Sequence, residues 1–311
     1  MKKTINQEQI AGYVYQHDLA IKTVKNESSS MYNKEYIGGS IEVAVDEDLL
    51  NVVSVYFPFV TEETSNGKVN ATYGILKRII EEDKTVIKVG KEEALKVKLN
   101  PSLGLNEFIN RDNQLISAKR NEGGFASIVT SLPADRNKFK VDMLVTAATR
   151  IEADEEKHID KDYVVIKGYI FDFKGSLLPV DFKVTNEQGM SYFEDFGISL
   201  SEPLFTQVWG LIKSETIVTE VTEESAFGEP AVRTYTRKNK EWVVTGARPT
   251  PYELGIDITK EELEKAMADR EIHQADIKKK HDEYQESKTK TENTFGPVVK
   301  AVTPKAGGFD F

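Results

Sequence analysis

The sequence predicts a mainly β protein, and three observations carry that expectation. From residue 36 to about 247 the chain is a succession of short apolar runs, among them "GSIEVAV", "NVVSVYFPFV", "TVIKV", "ALKVKL", "QLISAK", "FASIVTSL" and "KVDMLVTAAT". The series continues through "YVVIKGYIFDF", "LLPVDFKV", "FTQVWGLI", "AVRTYT" and "EWVVTGA". These runs are rich in Val, Ile, Tyr and Phe and alternate with period two, which puts every second side chain on one face of an extended strand. Turn formers separate many of them: Asn66-Gly67, Gly123-Gly124, Lys174-Gly175 and the stretch 237–240. Finally, only two short stretches in this region have helical character. Strands at this density with few helices build barrels or sandwiches.

Taken in order, residues 1–34 are polar and read as an irregular N-terminal arm, with "NESSS" from Asn26 to Ser30 as a loop. Gly38 and Gly39 mark a bulge, and Tyr56, Phe57 and Phe59 around Pro58 read as core at an edge strand. In "NATYGILKRIIEEDK", Ile75, Leu76, Ile79 and Ile80 form an apolar stripe behind Asn70 as an N-cap, which predicts a helix; "GMSYFEDFG" predicts another. After residue 247, "RPTPYELG" is a proline-containing linker. A long polar helix follows, opened by a Thr259–Glu262 capping box, with Leu263, Met267, Ile272 and Ile277 as a thin apolar seam. "KTKTENTFGPVVKAVTPKAGGFDF" is expected to be disordered up to its final residues. The expected division is an arm (1–34), a first β unit (35–135), a second (136–256), a charged helix (257–290) and a tail (291–311).

Composition excludes several kinds of chemistry. The 311 residues include no cysteine, hence no disulfide or thiolate metal site, in keeping with a reducing compartment. His17, His158, His273 and His281 are scattered, which disfavours a histidine-built metal centre or catalytic triad. The opening "MKKTINQEQIAG" lacks the apolar region of a signal peptide, and no run of about 18 apolar residues predicts a membrane span. The expected location is the cytoplasm of a bacterium or of a phage-infected host. There is no P-loop, no Rossmann fingerprint and no G-x-S-x-G elbow, so a non-catalytic protein without cofactor or metal is expected. Glu152, Asp154, Glu155 and Glu156 lack EF-hand spacing and read as a solvated loop; a metal-dependent hydrolase built on them is a rival reading.

The second half of the β region is more specific. Alternation in "AVRTYTR" places Arg233, Tyr235 and Arg237 on one face; Lys238 and Lys240 continue the charge around a turn, and Trp242 follows. In "FTQVWGLIK", Phe205, Gln207 and Trp209 share a face. Cations for phosphates with aromatic faces for bases are what single-stranded nucleic acid requires. A second cluster joins Lys119, Arg120 and Phe125 across the Gly-Gly pair, with Arg136, Lys138, Phe139 and Lys140 nearby. The net charge of −10 opposes a simple DNA coat, although a local basic groove can sit on an acidic body. From residue 259 onward there are 11 acids and 10 bases, so the excess acid belongs to the β region.

The order "YVVIKGYIFDF", Lys-Gly turn, "LLPVDFKV", short helix, "LFTQVWGLIK" and closing hairpin "AVRTYTRKNKEWVVTGA" resembles the five-stranded OB-fold of single-stranded DNA-binding proteins. Val208-Trp209-Gly210 is similar to a Val-Trp-Gly of bacterial members, and the hairpin resembles that of larger members from phages of Gram-positive bacteria. The resemblance implies one or two OB-fold-like barrels that bind single-stranded DNA in replication or recombination, with a homo-oligomer compatible with that reading. It also implies that Phe309, Asp310 and Phe311 form a tip gripped by partner proteins, although the family's tip carries several acids and this one carries a single aspartate. The alternative is an acidic β-sandwich of a virion or tail in which the helix mediates assembly.

Overall fold

The computed structural model describes residues 4–64, 66–156, 159–223 and 231–292, with backbone alone over 215–223, 231–238 and 288–292. The strands of the first half are β1 (Asn6–His17), β2 (Ala20–Thr23), β3 (Glu35–Ala44), β4 (Val52–Thr61), β5 (Lys96–Ile109) and β6 (Leu115–Ile128), with helices α1 (Ala71–Glu82) and α2 (Val86–Val89) between β4 and β5. The second half has β7 (Asn137–Ile151), β8 (Tyr163–Phe171), β9 (Leu177–Val184), helix α3 (Glu187–Asp195), β10 (Leu204–Glu223) and β11 (Ala231–Ala247), followed by helix α4 (Lys260–Glu292).

Eleven strands hydrogen-bond into one sheet among the described residues. Its pairings close on themselves twice. In the first circuit β1 pairs with β3, β3 with β4, β4 with β6, β6 with β5, and β5 returns to β1. In the second, β7 pairs with β8, β8 with β9, β9 with β11, β11 with β10, and β10 returns to β7. Both circuits have the same connectivity: the third strand meets the fifth in parallel, and helix α1 or α3 separates the third from the fourth. Closing a sheet removes its unpaired edges.

Strand β1 joins the circuits. Asn6–Ile10 pair with Val141–Asn137 of β7, Ile10–Tyr13 with β5, and Tyr13–His17 with β3 across a bulge between Val14 and Gln16. This corrects the expectation of an irregular arm over 1–34: Asn6–His17 is a strand paired within the first circuit. The signal was hidden for a physical reason. Ile10 to Val14 are buried without alternation, because structure covers both faces of that stretch. At Gly12 a Cβ would lie 2.0 Å from the Ala44 carbonyl oxygen.

Other local departures have similar causes. "TVIKV", read as a strand, is the short helix α2; Ile87 is exposed and the Gly90 N–H closes onto the Val86 carbonyl. "QLISAK" and "FASIVTSL", read as two strands parted by a Gly-Gly turn, are the single strand β6, and the glycines sit opposite a register shift at Asn100–Ser102. The run around Pro58 is not at an edge: β4 lies between β3 and β6, with Phe57 buried and Phe59 exposed against Tyr36.

The helices follow their caps. Asn70 Oδ1 accepts from Thr72 N at 3.1 Å, and α1 then buries Tyr73, Leu76 and Ile79. At α4, Glu262 N donates to Thr259 Oγ1 (3.2 Å) and Thr259 N donates to Glu262 Oε2 (3.0 Å), which is the expected box. The docked face of α4 shares only Leu263 with the predicted seam. Leu263, Ala266 and Arg270 turn inward, at helical spacing, whereas Met267 and Ile272 are exposed. An arginine was chosen for the third inward position because the facing strand β5 supplies the buried carboxylate of Glu107.

Candidate nucleic-acid interface

Two adjoining hollows of about 300 and 220 Å³ share Lys119, Lys240 and Trp242, and together form a groove. On one side it is lined by β3, β4 and β6 of the first circuit, through Ser40, Tyr56 and Arg120. On the other it is lined by β8, β9 and β11 of the second, through Tyr163, Phe182 and Lys183. The groove brings together residues more than a hundred positions apart: Lys119 and Arg120 from one predicted cluster, Lys240 and Trp242 from the other.

Three of its cations, Lys119, Arg120 and Lys183, lie on aromatic rings. The Arg120 guanidinium is 4.2 Å from the Tyr56 ring centre, and Lys183 Nζ is 4.2 Å from that of Tyr163. Lys119 Nζ is 5.0 Å from the Trp242 ring and 5.7 Å from the Phe182 ring. Such contacts are worth about 0.5–1 kcal/mol at exposed sites, and they hold the head groups in place along the groove. Carboxylates share the site: Lys119 reaches Asp181 at 2.6 Å, Lys183 reaches Glu241 at 3.3 Å, and Arg120 pairs with Glu122. Asp181 is 55% exposed and the other five side chains 20–32%, so the pairs remain in reach of solvent and a phosphate can replace the carboxylate.

Trp242 is buried rather than open to a base, and its Nε1–H donates to Glu8 Oε1 at 3.1 Å. Burial pushes the Glu8 carboxyl up to about 8, against the lowering effect of that indole hydrogen bond. Trp242 therefore serves as the platform under Lys119. Phe205 is also buried, with Tyr252 and Phe171, while Gln207 donates to Asp142 at 2.8 Å.

Trp209 and Phe125 lie elsewhere, in a cavity of about 710 Å³ whose wall also contains Lys138, Lys140 and Glu8. Lys240 is exposed at the groove. The backbone of Arg233, Tyr235, Arg237 and Lys238 continues β11 in antiparallel register with β10, from Val221↔Arg233 to Thr216↔Lys238, but their side chains lie outside the described residues. Phe309, Asp310 and Phe311 also lie outside them.

Sequence reading missed Tyr163, Phe182 and Lys183 and assigned Tyr56 to the core. A signal existed for Lys183: in β9 it shares a face with Asp181 while Val180, Phe182 and Val184 are buried. Nothing local distinguishes Tyr56 from its neighbour Phe57. Among the described residues no three His, Cys, Asp or Glu side chains gather as a metal site, and no helix is long and apolar enough to cross a membrane.

Comparison with curated proteins gives no match. Among solved structures, the chain is similar to a deletion mutant of the single-stranded DNA-binding protein from Thermus aquaticus, at 8% identity and a TM-score of 0.46, over 81% of this chain and 98% of that one. It is also similar to a replication protein A heterotrimer bound to single-stranded DNA, at 10% identity and a TM-score of 0.21, over 88% of this chain and 70% of that one. The family model YorF matches residues 5–287, nearly the whole described chain, and the protein belongs to the YorF family.

Proposed function

We propose that this protein binds single-stranded DNA non-catalytically and holds it during replication or recombination. In this reading each five-strand circuit, Asn6 to Ile128 and Asn137 to Ala247, acts as one OB-fold unit. The observation that carries the proposal is the row of cations on aromatic rings along the groove shared by both circuits. Lys119, Arg120, Lys183 and Lys240 take the phosphates, and the acidic remainder of the surface discourages binding elsewhere. Arg233, Tyr235, Arg237 and Lys238 extend the same strand along the hairpin and continue the contact. Phe309, Asp310 and Phe311 are offered to replication or recombination proteins.

The test is fluorescence anisotropy of a labelled oligo-dT at low and physiological salt, with duplex DNA as competitor. Binding is expected to prefer the single strand and to weaken with salt. Arg120→Gln with Lys240→Gln removes two phosphate contacts, so the slope of log affinity against log salt should fall by about 1.4. Affinity and slope equal to those of the unaltered protein would remove the groove from consideration. The pair Arg233→Glu and Arg237→Glu tests the hairpin in the same way.

A further inference from the structure

The groove offers cations but few bare rings. Tyr56 is covered by Arg120, Tyr163 by Lys183 and Trp242 by Lys119, so the groove suits phosphates better than bases. The 710 Å³ cavity has the opposite character. Phe125 is 79% exposed and Trp209 is 38% exposed, and no cation sits on either ring among the described residues. Single exposed rings need no partner, but two open aromatic rings in one cavity beside cationic and polar groups make the lining of a ligand pocket.

Both rings are held by backbone that tolerates no side chain. Phe125 follows Gly123 and Gly124, with φ of +59° and +85°, and a Cβ on Gly124 would lie 1.9 Å from the Asn100 carbonyl oxygen. Trp209 rests on Gly246, where a Cβ would approach the indole nitrogen to 2.5 Å. Beside Trp209, Lys140 is its register partner on β7; it is exposed and makes no ion pair among the described residues. Lys138 is also exposed, in a pair with Asp135 at 2.6 Å. The cavity and the groove have no lining residue in common, yet Glu8 lines the cavity and accepts from Trp242 of the groove.

We infer that this cavity is a second contact for the bound strand, taking a single unstacked nucleobase against Phe125 and Trp209 with Lys140 and Lys138 on the adjoining phosphates. The inference rests on the single-stranded DNA reading and divides the work: the groove holds backbone and the cavity holds a base. Stacking a base on an aromatic ring involves no counterion release, so the two contributions separate by their salt dependence.

The experiment pairs anisotropy with photocrosslinking of the full chain to oligo-dT carrying 5-iododeoxyuridine, with the adducts mapped by mass spectrometry. Adducts are expected at Phe125 or Trp209. Phe125→Ala should weaken binding about 5- to 150-fold with an unchanged salt slope. Because Phe125 is an exposed side chain, its removal leaves the fold intact, and a circular dichroism melt checks this. Adducts confined to Tyr56 and Tyr163, with wild-type affinity in Phe125→Ala, would overturn the inference while leaving the groove in place; the cavity would then serve another occupant, such as an acidic aromatic peptide. Failure of the unaltered protein to bind oligo-dT would remove both readings together.

Discussion

Glu8 is a carboxylic acid in a place that suits only its neutral form. It is 3% exposed, one oxygen accepts from the Trp242 indole and the other has no partner among the described residues. Its carboxyl is raised from 4.5 to about 8, with burial as the largest cause. The folded state therefore holds a proton that the unfolded chain has released, and stability from this group declines as pH rises from 4.5 to about 8. The slope is about 1.4 kcal/mol per pH unit while the difference lasts. Glu8→Gln keeps the acceptor for Trp242 and removes the proton, so the melting temperature of the variant relative to wild type should climb across this range. Parallel melting curves at pH 5 and pH 9 would show that Glu8 is hydrated. None of this was legible in the sequence, where Glu8 sat among "NQEQ" as one polar residue of many; its partner is 234 positions away.

Helix α4 shows the same dependence on distant partners. Its start was legible because a capping box is local chemistry, and its polar composition was legible as well. The inward face was not, because the deciding group is Glu107 on β5. Burial works against that carboxylate, but hydrogen bonds from Arg270 and Ser117 together with the Arg270 charge hold it below the usual carboxylate range. Removing one partner of a buried ion pair costs about 3–5 kcal/mol if the other stays dry. Here the helix can instead lift away and let Glu107 hydrate, which limits the loss to the docking energy. Arg270→Ala is thus expected to raise amide exchange across 260–292 and to leave exchange in β1 to β11 nearly unchanged. Global unfolding at a much lower temperature would mean that α4 braces the sheet. Since Glu107 is lowered in the fold, its contribution is present above the ordinary carboxylate range and disappears as pH falls through the folded value. Acid should release the helix before the strands.

For the whole molecule, strand-rich composition and turn chemistry made the fold class legible, and the order of elements after β7 made the second circuit legible. The first circuit was obscured at β1, whose buried centre shows no alternation. The groove was legible only in halves. Lys119-Arg120 and Lys240-Trp242 each stood out locally, but their meeting depends on how two closed circuits lie side by side, and no short window of sequence encodes that. One buried cluster, from Ile10 through Phe57 and Phe139 to Trp242, runs through both circuits. The expected consequence is a single unfolding transition, with calorimetric and van't Hoff enthalpies in agreement. Two resolved transitions would show that the circuits melt separately.

The shared strand also has a consequence for synthesis. β1 leaves the ribosome before its partners β3, β5 and β7, the last reaching residue 141 at the Asn6 pairing. No circuit can close before β6 has emerged, and the N-terminal half of β1 stays unmatched until β7 arrives. During that interval a nascent chain carries an open strand edge of mixed polarity. The polar spacing of Asn6, Gln7, Glu8 and Gln9 then guards the unfinished chain against pairing with its neighbours.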